Sequence, residues 1–298
     1  MSLNVASCVA ACKAQESFTS VRRAFAQSLV AGLEVQASKR GAPAALLHRK
    51  ILHSRRSRFT VGVNSTDENG CNALHHAVAN GHVDAVRVLL QNGADVNSTA
   101  QTGITPLFCA SQNGQVDIIH LLLAKEVDLN KANEDGDNPL NAAAVGGHVD
   151  VVQPLLESGD NVDKTCKHGN TALICAAKTG RLGVIQLLVE KGARINLSNE
   201  YGSTALLWAA DCGHLDIVTF LANNGAATDQ ATKEKVTPLM YAAGNGHLDV
   251  VRFLLDHRAD VQRVDEDGYT AITWAAENGS VDVVRLLLEC GAGPQTTD

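Results

Sequence analysis

The sequence predicts an all-α fold in which short helical units are stacked into a solenoid, with short β-hairpin-like fingers between the units. The first observation is a 33-residue period, marked by glycines from Gly81 to Gly279 and by a second set from Gly70 to Gly268. Lys235 stands where the sixth glycine of the second set would fall. The second observation is that each unit carries two short apolar patterns with helical spacing, and a fixed period of this length is typical of stacked supersecondary units.

The unit at 232–264 shows how one helical hairpin is built. Thr237 and Pro238 suit the start of a helix, because Thr accepts an orphan backbone N–H and Pro lacks a donor that would stay unpaired. Gly246 suits the left-handed backbone that follows a helix end. A second helical pattern runs from Leu248 to Leu255 with its apolar residues on one face. One hairpin cannot bury so narrow a face alone, so neighbouring units must share a core.

Two short motifs recur at the unit boundaries. Most units open with a triplet such as Asn-Ala-Leu at 72–74 or Thr-Pro-Leu at 105–107, and the first unit ends in Gly-Ala-Asp-Val-Asn at 93–97. With these residues each unit resembles an ankyrin repeat, over about residues 67–294. The resemblance implies paired helices whose finger tips and exposed first helices line a concave groove, and it implies a protein–protein interaction module or scaffold.

We predict two regions in the chain. Residues 1–66 form a basic N-terminal extension with a degenerate capping repeat at about 44–66, because the Val-Asn-Ser-Thr of 63–66 recurs one period later at 96–99. The repeat domain covers 67–298. Its seven units are predicted at 67–99, 100–132, 133–165, 166–198, 199–231, 232–264 and 265–298.

Three substitutions depart from the repeat pattern. Pro154 lies inside the second helix of the third unit, where a missing N–H should kink or shorten the helix. Glu126 and Arg258 replace the glycine after the second helix in their units, which predicts slightly strained turns there, at a cost of about 1 kcal/mol each.

Charge is distributed unevenly along the chain. Residues 1–60 carry ten Lys/Arg and two Asp/Glu, a balance of +8, and the remaining residues have a balance of −15, which together give the net charge of −7. Three interpretations of the basic arm stay open: a cap, a targeting segment for an organelle, or a binding arm for a membrane surface or nucleic acid. The second and third interpretations make the protein an adaptor whose arm directs the array.

Cysteine spacing and hydropathy indicate an intracellular protein, most simply a cytoplasmic one. The eight cysteines contain no C-x-x-C pair, which favours free structural thiols in a reducing compartment. Cys109 and Cys175 occupy the same place two units apart, as small packed residues of a repeat would. No apolar run is long enough to span a bilayer, so we predict no transmembrane segment.

No residue set in the sequence has the pattern of an active site. We therefore predict no enzymatic activity, no catalytic residue, no metal, no cofactor and no small-molecule substrate. Four histidines follow the periodic glycine and resemble the family's structural histidine, which hydrogen-bonds neighbouring turns: His82, His148, His214 and His247.

The resemblance places the partner-binding residues at the finger tips and along the first helices. At the tips these residues are Glu68, Asn69, Gln101, Thr102, Glu134, Asp135, Lys167, His168, Glu200, Tyr201, Lys233, Glu234, Glu266 and Asp267, with Tyr269 beside the last finger. On the first helices, Trp208, Tyr241 and Trp274 occupy one equivalent position in three successive units. These aromatic residues either pack between first helices or anchor a partner. The acidic and aromatic C-terminal half predicts a partner protein with a basic segment.

The last unit lacks a polar cap. Its second helix keeps an internal type of apolar face from Val281 to Leu288. This pattern leaves three alternatives open: end-to-end self-association at the C-terminal repeat, membership of a longer array, or a fraying end.

Overall fold

The computed structural model describes residues 62–292, which lie within one compact unit of the chain at Val61–Asp298. These residues form α-helices in seven consecutive pairs, as the repeat predicts. The helices are α1 Ala73–Ala79, α2 Val83–Gln91, α3 Pro106–Gln112, α4 Val116–Leu123, α5 Pro139–Gly146, α6 Val149–Glu157, α7 Ala172–Lys178, α8 Leu182–Glu190, α9 Ala205–Asp211, α10 Leu215–Asn223, α11 Pro238–Gly244, α12 Leu248–Asp256, α13 Ala271–Glu277 and α14 Val281–Glu289.

The first helix of each pair begins at a polar cap. Thr237 has extended backbone, and its side-chain oxygen accepts the N–H of Met240 at 3.2 Å. The side chains of Asn72, Thr105, Asn138, Thr171 and Thr204 cap their helices in the same way. Since a helix of seven or eight residues is marginal by itself, these caps and the packing of each pair decide where the helix forms.

Both helices of each pair contribute to the apolar core. In α12, Val250, Val251 and Leu254 are buried, and the equivalent residues are buried in α4, α6, α8 and α10, whereas α2 and α14 at the two ends bury fewer of them. Each helix packs against its partner in the pair and against the equivalent helices of adjacent units. The result is one continuous core along the stack, which confirms the solenoid predicted from the sequence.

The fingers between units are tight turns rather than long strands. In the described residues, isolated antiparallel bridges join Thr165 to Thr171 and Ser198 to Thr204, and no longer strand is present there. Gly136 shows why glycine is needed in this turn. Its φ is 76°, and a Cβ there would lie 2.5 Å from the backbone N of Lys167 in the next finger.

The three departures from the repeat have different outcomes. The prediction that Pro154 shortens its helix is wrong, because α6 keeps nine residues, as α12 does. The buried face of Val151, Val152 and Leu155 holds the helix in spite of the lost N–H.

At the end of the second helix, the strained turn is confirmed at Arg258 and wrong at Glu126. Arg258 has a φ of 64°, in the left-handed region. Glu126 does not take a positive φ, because α4 ends early, at Leu123, and the chain turns in another way. Lys235 also has a positive φ, of 61°, in the place of the missing glycine.

The N-terminal extension lies almost wholly outside the described residues, so the capping repeat at about 44–66 stays a prediction. Asn64 is described, and its side chain donates to the carbonyl of Gly93 at 3.1 Å and accepts the N–H of Asp95 at 2.8 Å. Asn97 pairs with Glu126 and Asp128 in the same way one unit later. Among residues 62–292, no helix is long and apolar enough to cross a membrane.

Candidate functional site

Neighbouring fingers are joined through their backbones. The N–H of Gln101 donates to the carbonyl of Asn69 at 3.0 Å, and the N–H of Glu134 donates to that of Thr102 at 3.1 Å. The later fingers repeat this bond from Glu200 to His168, Lys233 to Tyr201 and Glu266 to Glu234. Because these bonds use main-chain atoms, they hold the tips in register without constraining which side chain each tip carries.

The structure places the predicted tip residues at the surface. All fourteen tip side chains and Tyr269 are exposed, and Tyr201 and Tyr269 keep 59% and 46% of their surface accessible. We call the tips and the exposed sides of the first helices the finger face.

The fingers contact the first helices at both ends of the array. In the first unit, Asp67 forms an ion pair with His76 of α1, with 3.0 Å between Oδ2 and Nε2. In the last unit, Asp265 occupies the equivalent place and accepts the indole N–H of Trp274 at 2.9 Å. Burial opposes ionisation of Asp67, but the N–H groups of Cys71 and Asn69, with His76, outweigh it and lower its pKa.

The aromatic row is half-buried. Tyr241 and Trp274 meet edge to face, with ring centroids 5.7 Å apart. The ammonium of Lys178 lies 4.2 Å from the centroid of the Trp208 ring. The row therefore packs between first helices, as one interpretation held, and part of each ring stays accessible on the finger face.

Each aromatic residue of the row lies beside the last residues of the first helix one unit earlier. Lys178 of α7 covers Trp208 of α9. Asp211 of α9 lies close enough to Tyr241 of α11 that its charge acts on the phenol. A Cβ on Gly244 of α11 would lie 2.9 Å from Cε3 of Trp274 in α13.

In this part of the finger face, burial is the main cause of the pKa shifts. Burial raises the pKa of Tyr241 to about 12, and the charges of Asp211 and Glu234 act in the same direction. Burial also raises the pKa of Asp211, against the opposing effects of the Asn245 amide, His247 and Lys178. With a pKa of about 12, the Tyr241 phenol stays protonated near neutral pH.

Two of the four predicted structural histidines, His148 and His247, hydrogen-bond to the neighbouring unit. His148 Nε2 lies 3.1 Å from the carbonyl of Gln112, and His247 Nε2 lies 2.9 Å from that of Asp211. Arg181 takes the place of a histidine and donates its Nε–H to the carbonyl of Val145. Within residues 62–292, no group of three or more His, Cys, Asp or Glu side chains is arranged to hold a metal ion.

Cys175 is an inert thiol in the row. Burial raises its pKa to about 12, so the thiolate that reacts with electrophiles and oxidants is scarce at neutral pH. Asn141 of the preceding unit donates to the carbonyl of Asn170 at 3.1 Å and lies 3.9 Å from the Cys175 sulfur. The contact fits a packing role, in keeping with the repeat position that Cys175 shares with Cys109.

Sequence reasoning missed the contacts made by Asp265 and Lys178. The spacing of nine residues between Asp67 and His76 recurs between Asp265 and Trp274, and this regularity is a signal that could have identified the finger-to-helix contact. The position of Lys178 over Trp208 joins adjacent units, and only the packed helices place those residues together.

The helix pairs share one core, and the side chains on the finger face vary from unit to unit. These features are typical of repeat proteins that bind other molecules. A family model described as ankyrin repeats (3 copies) matches residues 36–100, 94–166, 140–231 and 224–298. The chain belongs to the ankyrin-repeat family. No curated protein sequence matches it. Ankyrin repeats are generally protein–protein interaction modules and are typically not enzymes.

Proposed function

We propose that the protein is a non-enzymatic scaffold that binds a partner protein through the finger face. One observation carries the proposal: five of the six steps between described fingers carry the same backbone bond, while the exposed side chains at the tips differ from unit to unit. A fixed frame with variable side chains suits recognition, because little conformational entropy is lost when a partner binds.

The charge of the tips favours a basic segment on the partner. The fourteen tip residues include seven Asp/Glu and two Lys. In the last three fingers Glu200, Glu234, Glu266 and Asp267 outnumber the two exposed lysines, Lys233 and Lys235. Complementary charge of this kind raises association rates and fixes register, and its contribution falls as salt rises.

The aromatic residues of the same half supply apolar contact area. Tyr201 and Tyr269 are exposed beside the acidic tips, and the row of Trp208, Tyr241 and Trp274 lies partly accessible behind them. Aromatic side chains are enriched among the residues that dominate binding energy in protein interfaces. We infer that the partner's basic segment crosses the last three units.

The test compares variants on two faces of the full-length protein. Proteins captured with the wild type should be lost with Glu266→Gln/Asp267→Asn and retained with Glu190→Gln/Asp256→Asn, a matched charge change on exposed residues of the second helices α8 and α12. A captured partner is then purified and its affinity measured against salt. If both double variants bind it equally, with the same salt dependence, the finger face is not the site.

A second candidate function rests on the balance of +8 in residues 1–60, which supports an adaptor whose arm directs the array to an organelle, a membrane surface or nucleic acid. That segment lies outside the described residues. Cell fractionation of the full chain with Arg55→Gln, Arg56→Gln and Arg58→Gln tests it: an unchanged distribution would argue against the adaptor role.

A further inference from the structure

Lys178 and Trp208 form a contact that stands apart from the rest of the finger face. The ammonium lies 4.2 Å from the ring centroid, within the range in which a cation is attracted by an aromatic face. Within residues 62–292 no carboxylate forms an ion pair with Lys178, although its charge acts on Asp211 nearby. The Trp208 ring is thus a position that accepts a cation.

Carboxylates on the same helix and in the same unit add to the attraction that the Trp208 ring has for a cation. Asp211 lies three residues after Trp208 on α9, so the two side chains share one side of the helix. The carboxylate of Asp211 accepts the amide N–H of Asn245 at 2.8 Å and keeps its other oxygen for a further donor. Glu200, whose side chain is 58% exposed, belongs to the finger of the same unit.

The lysine is a weak occupant of the position. An ammonium on a flexible stem contacts the ring as a point charge, and at a partly exposed site such a contact is worth little. A guanidinium is planar and less strongly hydrated, stacks on aromatic faces, and donates in a fork to a carboxylate. An arginine could therefore contact both the ring and Asp211.

We propose that Trp208 and Asp211 form an arginine subsite on the finger face, which Lys178 occupies in the free protein and which an arginine of the partner's basic segment takes over. The inference rests on the proposed function and deepens it, because it identifies one residue of the partner and one competitor within the chain. Lys178 then competes with the partner for the Trp208 ring. Because an arginine displaces it more readily than a lysine does, the contact makes the subsite selective for arginine.

The experiment uses the full-length protein labelled with 15N and a short acetylated, amidated peptide of alternating arginine and alanine. The chain contains two tryptophans, so two indole N–H signals report on binding, and Trp208→Phe assigns them. Peptides with lysine or with uncharged citrulline in place of arginine are the matched ligands. Lys178→Met removes the competitor and keeps the apolar stem of the side chain.

We expect the arginine peptide to shift the Trp208 indole signal, and Lys178→Met to raise its affinity by about two- to five-fold. Lys233→Met is the control, because it removes the same charge from an exposed finger tip in the same half of the array without uncovering Trp208. Its effect on affinity should be smaller. The lysine peptide should gain less than the arginine peptide, and the citrulline peptide should gain nothing.

Two results would overturn the subsite. One is an equal gain in Lys178→Met and Lys233→Met, since general electrostatics would then explain it. The other is an unmoved Trp208 indole signal in Lys178→Met at saturating peptide, or no binding by that variant. The proposed function fails separately, when a captured partner is insensitive to Glu266→Gln/Asp267→Asn.

Discussion

The two halves of the finger face share one scaffold and differ in the row along their first helices. In the first four units the row holds His76, Cys109, Ala142 and Cys175, which are small or polar. In the last three units it holds Trp208, Tyr241 and Trp274. One continuous buried core runs through both halves, and backbone bonds join fingers in both. The comparison shows that the residues that build the array are separate from those that give each half its surface chemistry.

The largest expected effect tests the shared scaffold. Leu107 of α3 and Leu206 of α9 are equivalent core residues, buried to 0% and 1% exposure. Leu107→Ala and Leu206→Ala should each lower the free energy of unfolding by about 2–5 kcal/mol, because each leaves a cavity in the core. Denaturant unfolding of the full chain measures both. A much smaller loss at one position would mean that the two halves do not share equivalent cores.

A smaller effect is expected where the aromatic row meets the scaffold. Gly244 has no room for a Cβ beside Trp274, whereas the equivalent residues of the first half include Ala79 and Val145. Gly244→Ala should lower stability by about 1–3 kcal/mol, because the indole has to move.

The double variant Gly244→Ala/Trp274→Ala sharpens this prediction. With the indole gone, alanine at 244 should become neutral or stabilising by about 0.5–1 kcal/mol relative to Trp274→Ala alone, since glycine is unfavourable in a helix. The measurement is the same unfolding free energy, analysed as a double-mutant cycle. Additive effects of the two changes would contradict the contact.

The two tryptophans should respond differently to one substitution. Trp274 donates its indole N–H to the buried Asp265, while the indole nitrogen of Trp208 is buried with no hydrogen-bond partner. Trp274→Phe should therefore cost about 1–2 kcal/mol more than Trp208→Phe, because it leaves a buried carboxylate oxygen unpaired. Equal losses in unfolding free energy would show that the Asp265 contact contributes nothing.

The smallest expected effect depends on pH. Because burial raises the pKa of Asp211 above its unfolded value, the folded protein loses stability as the pH rises through the interval between the two values. Asp211→Asn should remove that loss, raising the unfolding midpoint at neutral pH by less than about 3 °C and giving no gain at about pH 3.

Asp67 provides a control of opposite sign in the first half of the array. Its lowered pKa means that its charge contributes stability above the unfolded pKa, and that this contribution is lost as the pH falls through the folded pKa. Asp67→Asn should therefore lower the midpoint at neutral pH, and the difference from wild type should disappear in acid. A gain at neutral pH would contradict the hydrogen bonds assigned to this carboxylate.

Sequence reasoning predicted the repeating parts of the molecule because local chemistry determines them. The Thr237 cap and the left-handed Gly246 follow from neighbouring residues alone, and the structure confirms both. The prediction failed at Glu126, because a chain without glycine there had a second solution, in which the helix ends earlier. The shortening predicted as one of two outcomes at Pro154 did not occur, because burial of three apolar residues outweighs one missing hydrogen bond.

The candidate site was predicted only in part. The exposure of the finger tips follows from their place in the repeat, and the structure bears it out. The contacts of Trp208, Tyr241 and Trp274 depend on what the preceding unit presents to each ring, which is lysine, aspartate or glycine. Such pairs are 30 residues apart in sequence, so a pattern read within one unit cannot identify them.

The backbone bonds between successive finger tips also affect how the molecule responds to mechanical load. Five of the six steps between successive described fingers carry such a bond, the step from Asp135 to Lys167 does not, and each helix pair packs on its immediate neighbours. A tension applied to the two ends of the array is therefore carried by each interface between neighbouring units in turn. The weakest interface yields first, and its extension relieves the others.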